Sequence, residues 1–299
     1  MKAPVAEAAT GGITVMAHLR RRAMWRGRKI PIAASVVCLA LVIAAIFGNL
    51  IAPYGIADPD FAATLAPPFW MQDGSAAHIL GTDQLGRDIL SRLIGGARIS
   101  LITATSAIVF AGAIGIFLGL VAGFFGGLLE AVIMRVVDAF LALPFILMAL
   151  ALVAALGSGL GNIVLVMILT NWARYARLVH SETLSIKQRD FVTLARIAGV
   201  SPMRIALRHV LPNAINSVSV LAILDFGRAI ILESSLSFLG LGIQPPDVSW
   251  GSMLADGKSE MQFAWWLTVW PGLAILIAVL SFNALGEWLK GELDPRSML

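Results

Sequence analysis

The chain has 299 residues, 58% of them hydrophobic and only 13% charged, with a mean hydropathy of +0.85. A water-soluble domain carries about 25% charged residues, so this composition excludes an ordinary soluble enzyme and indicates a protein solvated mostly by lipid. Its single cysteine, Cys38, excludes a disulfide framework or a cysteine-based metal site, and a net charge of +4 makes charge placement more informative than charge total.

Residues 1–29 read as a basic tail. The apolar run that follows, Ile30 to Ala52, exceeds the 7–15 residues of a signal-peptide core and lacks a small-residue cleavage site. At about twenty residues or more it reads as a first membrane span. Residues 53–98 form an outer segment, long for a structureless loop. Within it Asp83–Arg87 and Asp88–Arg92 are i,i+4 pairs opposite a stripe of Leu85, Ile89 and Leu93, which predicts an amphipathic helix lying at the interface. Ser100 to Leu129 is the second span. Its ladder of Ala111, Gly115, Gly119, Gly123 and Gly127 admits a closely packed neighbour, in this chain or in a partner.

Arg135 and Asp138 form an i,i+3 pair just before the uncharged stretch Ala139 to Ala173, which is too long for one span. Gly157-Ser158-Gly159 and Gly161-Asn162 divide it into a hairpin of spans three and four. A fifth span runs from Ala214 to about Phe238 and a sixth from Phe263 to Leu285, with Trp265, Trp266 and Trp270 as an interfacial belt. Pro144 and Pro271 permit kinks in spans three and six. The expected architecture is an all-α membrane protein of six transmembrane helices, with a five-span core over residues 99–290 and a short tail at 291–299. Seventeen of the 22 Lys and Arg residues then fall on the side of the two termini, which places both termini in the cytoplasm.

A polar island, His180 to Asn213, separates spans four and five. Gly199 follows a helical run carrying Phe191, Leu194, Ala195 and Ala198 and stops it. Ser201-Pro202 restarts the chain as N-cap and first helical residue, and the second short helix, Met203 to Val210, is expected to end before Pro212. Arg204 and Arg208 share one face of it, while Met203, Leu207 and Val210 form an apolar stripe on another. Such a helix suits a groove in a soluble partner, and it also suits an ordinary amphipathic loop at the membrane surface. Span five carries Asp225 and Arg228, an i,i+3 pair able to neutralise itself, and Glu233 further out. Each charge costs roughly 2.5–3.5 kcal/mol near a helix centre. Packing against neighbouring helices and facing a translocation path are both open to them.

The residues Ala195, Gly199, Leu211 and Pro212 sit at the spacing of the EAA loop of ABC-importer permease subunits, with Thr193, Leu194 and His209 departing from that pattern. Three further blocks extend the likeness over almost the whole chain. They are His78-Ile79-Leu80-Gly81-Thr82-Asp83 through Gly86-Arg87-Asp88, the run from Glu233 to Trp250, and Trp265-Trp266, Pro271-Gly272, Phe282-Asn283 and the terminal Leu293-Asp294-Pro295. Together they resemble the second (C-type) permease of the dipeptide/oligopeptide/nickel class.

That resemblance implies a type I permease fold and alternating access driven by two cytoplasmic ATPase subunits. It also implies a second, related permease and an extracytoplasmic substrate-binding protein. ATP and Mg would be bound by the ATPases, with no cofactor, metal or nucleic acid on this chain. The loop would act as coupling helix through Phe191, Ala195, Gly199, Ser201, Met203, Arg204, Leu207, Arg208, Leu211 and Pro212. Solutes handled by similar permeases include dipeptides, longer peptides, nickel chelates and glutathione. Gly257-Lys258-Ser259 resembles the end of a phosphate loop, but Ser252 stands where its first glycine is required, and His18, His78, His180 and His209 do not cluster at metal spacing. A stand-alone channel or secondary carrier and an intramembrane enzyme are the readings of other classes.

Overall fold

The computed structural model describes residues 30–293; the tail at 1–29 and the last residues, 294–299, lie outside the described residues. The described residues form helices joined by turns and by a long irregular segment at 52–88 that holds one 3-10 turn, Phe61–Ala63, without a strand; an isolated bridge joins Thr82 and Asp88. In chain order the helices are α1 (Ile32–Ile51), α2 (Ile89–Phe125), α3 (Gly127–Ala142), α4 (Phe145–Leu156), α5 (Leu160–Lys187), α6 (Asp190–Ile197), α7 (Pro202–Phe238), α8 (Trp250–Gly257) and α9 (Trp266–Leu293). Four of them, α1, α2, α7 and α9, are long and apolar enough to cross a membrane, and the bent pair α3 and α4 makes up to five. Helix α5 is long enough, but its second half carries Arg174, Arg177, Glu182 and Lys187.

Helix α2 starts eleven residues before the expected second span because Asp88 caps it, accepting from Ser91 N at 2.8 Å. The interfacial helix expected around residues 83–93 is therefore not there. Residues 83–87 instead form a tight turn around the Asp83 carboxylate, which accepts from Leu85 N at 2.9 Å, Arg87 N at 3.0 Å and Arg87 Nε at 2.7 Å. Gly86 closes that turn at φ +73° against the Asp60 carbonyl, a left-handed conformation that interrupts any helix. The Asp83–Arg87 pair forms; Asp88 and Arg92 do not pair, since Asp88 is taken up by the cap and by His78 at 3.1 Å. Arg92 turns to Asp83 at 2.6 Å and to Asp256 at 3.0 Å, tying the outer segment to α8.

The small-residue ladder packs α2 against α5 of the same chain. A Cβ on Gly115 would lie 2.7 Å from Ala176 N and the Trp172 carbonyl, and one on Gly123 would lie 2.8 Å from Thr183 Cβ. The last rung departs, because Gly127 lies past the end of α2 at φ +65° and faces open space. The helical stretch at the expected third span begins at Gly127, before Ala139, and the pair α3 and α4 bends by 92° at Leu143-Pro144, where proline removes a helix donor. Gly157 and Gly159, both at positive φ, make the expected hairpin turn into α5. Asp138 pairs with Arg177 of α5 and not with Arg135.

Two buried clusters hold the bundle together. One, around Ile89, Leu101, Ile230, Trp250 and Trp266, locks α2, α7, α8 and α9 at one end. The other, around Phe124, Val137, Tyr175, Ile186, Ile205 and Val210, lies at the opposite end, where the bend between α5 and α7 is rooted.

A bend between two long helices and a charge cluster on α7

The polar island is less separate than its sequence implies. Its first residues, His180 to Lys187, continue α5. A short helix, α6, then stops at Ala198 in a two-bond cap: Gly199 N reaches the Arg196 carbonyl at 3.1 Å and Val200 N the Ala195 carbonyl at 3.1 Å. That pattern is the Schellman motif, and it requires the left-handed residue that Gly199 supplies at φ +75°. Ser201 occupies the N-cap position with extended backbone, but its hydroxyl makes no capping bond.

The second short helix does not end before Pro212. Pro202–Phe238 runs as one helix of 37 residues, because a π turn at Ala206–Val210 precedes the proline. In that turn Leu211 N bonds to the Ala206 carbonyl, five residues back, and Asn213 Nδ2 takes the His209 carbonyl at 2.6 Å. The widened turn accommodates a ring that would otherwise collide with the carbonyl four residues earlier.

Val192, Ile205, Ala206 and Val210 are buried and root the bend in the second cluster, with Ala195 and Leu211 packed partly against them. Full burial of each Val or Ile contributes about 1.5–3 kcal/mol, so the bend is a rigid part of the bundle. Val210 thus leaves the expected outward stripe. What faces outward is Phe191, Met203 and Leu207, with Arg204 and Arg208 exposed between them. Two of the most exposed apolar residues there are Leu194 at 64% and Ile197 at 78%; the sequence placed Leu194 on the helical run but marked neither as an outward contact. Their i,i+3 spacing on the face opposite Val192 and Ala195 was the available signal; an eight-residue helix apolar on both faces gave no periodicity to separate them.

Asp225 and Arg228 do not chiefly neutralise each other. Asp225 is buried at 3% exposure, and its Oδ1 binds Arg174 of α5 at 2.8 Å. The Arg228 guanidinium approaches the same oxygen only to 3.7 Å, and its side chain is 63% exposed. Glu233 stands apart from both. It is 1% exposed and enclosed by hydroxyls, accepting from Ser237 Oγ and Ser249 Oγ at 2.7 Å each, which joins α7 to the start of α8. Glu233 therefore faces packed protein.

Beside the cluster a cavity of about 700 Å³ opens between α5, α7 and the end of α9, lined among others by Arg174, Arg177, Glu182, Asn216, Ser217 and Lys290. Polar groups lining a cavity among apolar helices mark a solute path or a subunit seam. The bundle thus combines a rigid exposed bend, a long helix running from it, and a polar cavity along that helix.

A family model described as a binding-protein-dependent transport system inner membrane component matches residues 115–298, which include the bend, the charge cluster and the cavity. The chain belongs to this family. It is a multi-pass membrane protein of the ABC-importer permease type. The permease is 43% identical over 258 residues to the di/tripeptide transport system permease protein DppC of Pseudomonas aeruginosa, covering 86% of this chain and 85% of that one. It is 44% identical over 261 residues to the dipeptide transport system permease protein DppC of Escherichia coli, covering 87% of each. Against the glutathione transport system permease protein GsiD of Pectobacterium atrosepticum it is 39% identical over 279 residues, covering 92% and 91%. These similarities extend well beyond the bend motif.

Proposed function

We propose that this permease forms half of the translocation pathway of an ATP-driven importer of short peptides in the cytoplasmic (inner) membrane of a prokaryote. It crosses the membrane six times with both termini cytoplasmic, α5 serving as a span despite its charges because Arg174 and Arg177 are paired within the bundle. A second, related permease supplies the other half. Two cytoplasmic ATPase subunits bind ATP and Mg, this chain contributing no nucleotide site, and an extracytoplasmic binding protein delivers the solute.

One observation carries the reading. The bend at Gly199 is rooted in the bundle yet presents Phe191, Leu194, Ile197, Met203 and Leu207 outward, an apolar set fitted to a groove in a soluble partner. ATPase closure would push this bend and rock the spans around it. The names of the relatives support a peptide as solute, and the likeness to a glutathione permease favours a peptide-like solute over nickel.

The test is purification of the subunit with whatever accompanies it from its native membrane, followed by uptake of dialanine into proteoliposomes. Recovery of a second permease and ATPases, with uptake that needs ATP, is the expected result. A chain recovered alone that moves solute without ATP would replace this reading with a stand-alone carrier.

A further inference from the structure

Arg228 lies near the middle of its span. Gly227 beside it faces Val279 and Asn283, about half-way along α9. The carboxylate nearest it, Asp225, is already bound to Arg174 at 2.8 Å, against 3.7 Å to Arg228. Two guanidiniums therefore share one carboxylate, and this triad carries one uncompensated positive charge, located on the side chain that is 63% exposed. Acyl chains offer no counter-charge, so that face of α7 does not look into lipid.

The face itself is continuous. Ser217, Leu221, Leu224, Arg228, Ile231 and Ser235 follow one another at spacings of four and three, which places them on one stripe of the helix. At one end the stripe borders the polar cavity of about 700 Å³. At the other, Ile231 and Ser235 border a second cavity of about 410 Å³ with Leu254 and Ile275. Arg228 stands between two open volumes on a single helix face.

We propose that Arg228 is an anion-binding position inside the translocation pathway, and that it takes a carboxylate of the transported solute as it passes between the two cavities. This rests on the reading of the chain as half of a peptide pathway, since every unmodified short peptide carries a C-terminal carboxylate. Arg174 keeps Asp225 neutralised throughout, so Arg228 is free to engage and release the solute without leaving a buried charge unpaired. A carboxylate on the second permease is the competing occupant, and the two differ in what reaches this face from water.

The experiment uses the assembled transporter in proteoliposomes. Cys38→Ala removes the native thiol, and Ile231→Cys places one thiol a turn from Arg228 on the same stripe. Its reaction with a sulfonated methanethiosulfonate should exceed that with a trimethylammonium one by about fivefold or more, and Arg228→Met should abolish this bias. In parallel, Arg228→Met should lower dialanine uptake about tenfold or more while Arg228→Lys restores most of it, with ATP hydrolysis and subunit assembly retained in both. A thiol that neither reagent reaches, or an assembly lost with Arg228→Met, makes this face a subunit seam and overturns the inference. Unchanged uptake by Arg228→Met overturns it too. If the unmutated complex does not carry dialanine, the peptide reading fails, and the labelling bias still decides the anion site.

Discussion

The three-residue cluster on α5 and α7 predicts an asymmetry that simple pairing does not. Removing one partner of a buried ion pair costs about 3–5 kcal/mol, because the remaining charge stays buried. Arg174→Met leaves the Asp225 carboxylate, 3% exposed, with Arg228 as its remaining cation. At 3.7 Å against 2.8 Å, Arg228 already attracts the carboxylate by distance alone roughly three-quarters as strongly as Arg174 does, less with solvent around its exposed side chain, so the charge left behind is only partly compensated. The expected destabilisation is therefore about 2–3 kcal/mol. Asp225→Asn leaves two arginines whose side chains are 29% and 63% exposed and can be hydrated, so about 1–2 kcal/mol is expected, the size of a lost charged hydrogen bond. Combining Arg174→Met with Arg228→Met removes both cations and should reach the full 3–5 kcal/mol. Thermal unfolding of the purified complex resolves these steps, at about 2–4 °C per kcal/mol for a chain of this order of size. Equal effects of Asp225→Asn and Arg174→Met, or a double variant no worse than Arg174→Met, would refute the shared-carboxylate account.

Gly199→Ala meets no atom within 4 Å, so its cost is the left-handed backbone alone, about 1–2 kcal/mol; ATP-driven uptake should fall in the order Gly, Asn, Ala, Val at this position, with membrane insertion retained in all four. Gly119→Leu should destabilise the subunit by about 1–3 kcal/mol or more through overpacking, since even a Cβ there lies 2.5 Å from the Ala176 carbonyl; lowered thermal stability with unchanged partner composition is the expected measurement. Asp83→Asn turns an acceptor of two guanidiniums into a partial donor and should cost about 3 kcal/mol, read as faster proteolysis of the outer segment in right-side-out vesicles.

The features legible from sequence were those written into consecutive residues. The apolar runs located α1, α7 and α9, and Gly199 with Ser201-Pro202 located the bend, because chain punctuation acts over a few residues. The outer segment misled because its i,i+4 charge spacing fits a helix, while Gly86 and the capping by Asp88 favour a turn. Spacing says which residues could meet on a helix, not whether the backbone there is helical. The main partners of Asp225 and Asp138 come from another helix and those of Arg92 from the 83–87 turn and from α8, and the nearer cation in sequence proved the weaker contact for Asp225. The same gap hid the exposure of Leu194 and Ile197, which follows from which face of α6 the bundle buries.

Pro212 shows how a local exception serves the whole. Had the helix stopped before it, the bend would be joined to the membrane by a flexible link, and force applied at Arg204 would be lost in that link. The π turn instead keeps Pro202–Phe238 unbroken over 37 residues, about 55 Å at 1.5 Å per residue. The exposed bend, the Asp225 cluster, Arg228 and the serine-held Glu233 are thus mounted on one rod. In the proposed orientation, a partner that tilts the bend on the cytoplasmic side moves Arg228 in mid-membrane and Glu233 nearer the outer face in the same motion. The Gly199 series acts just before this rod and the Arg228 variants act along it. Substitutions at Gly199 should reduce uptake and ATP hydrolysis together by weakening the push, whereas Arg228→Met should reduce uptake alone. If both sets of variants lose hydrolysis and uptake in equal proportion, the rod does not separate drive from solute contact, and the mechanical reading of α7 fails.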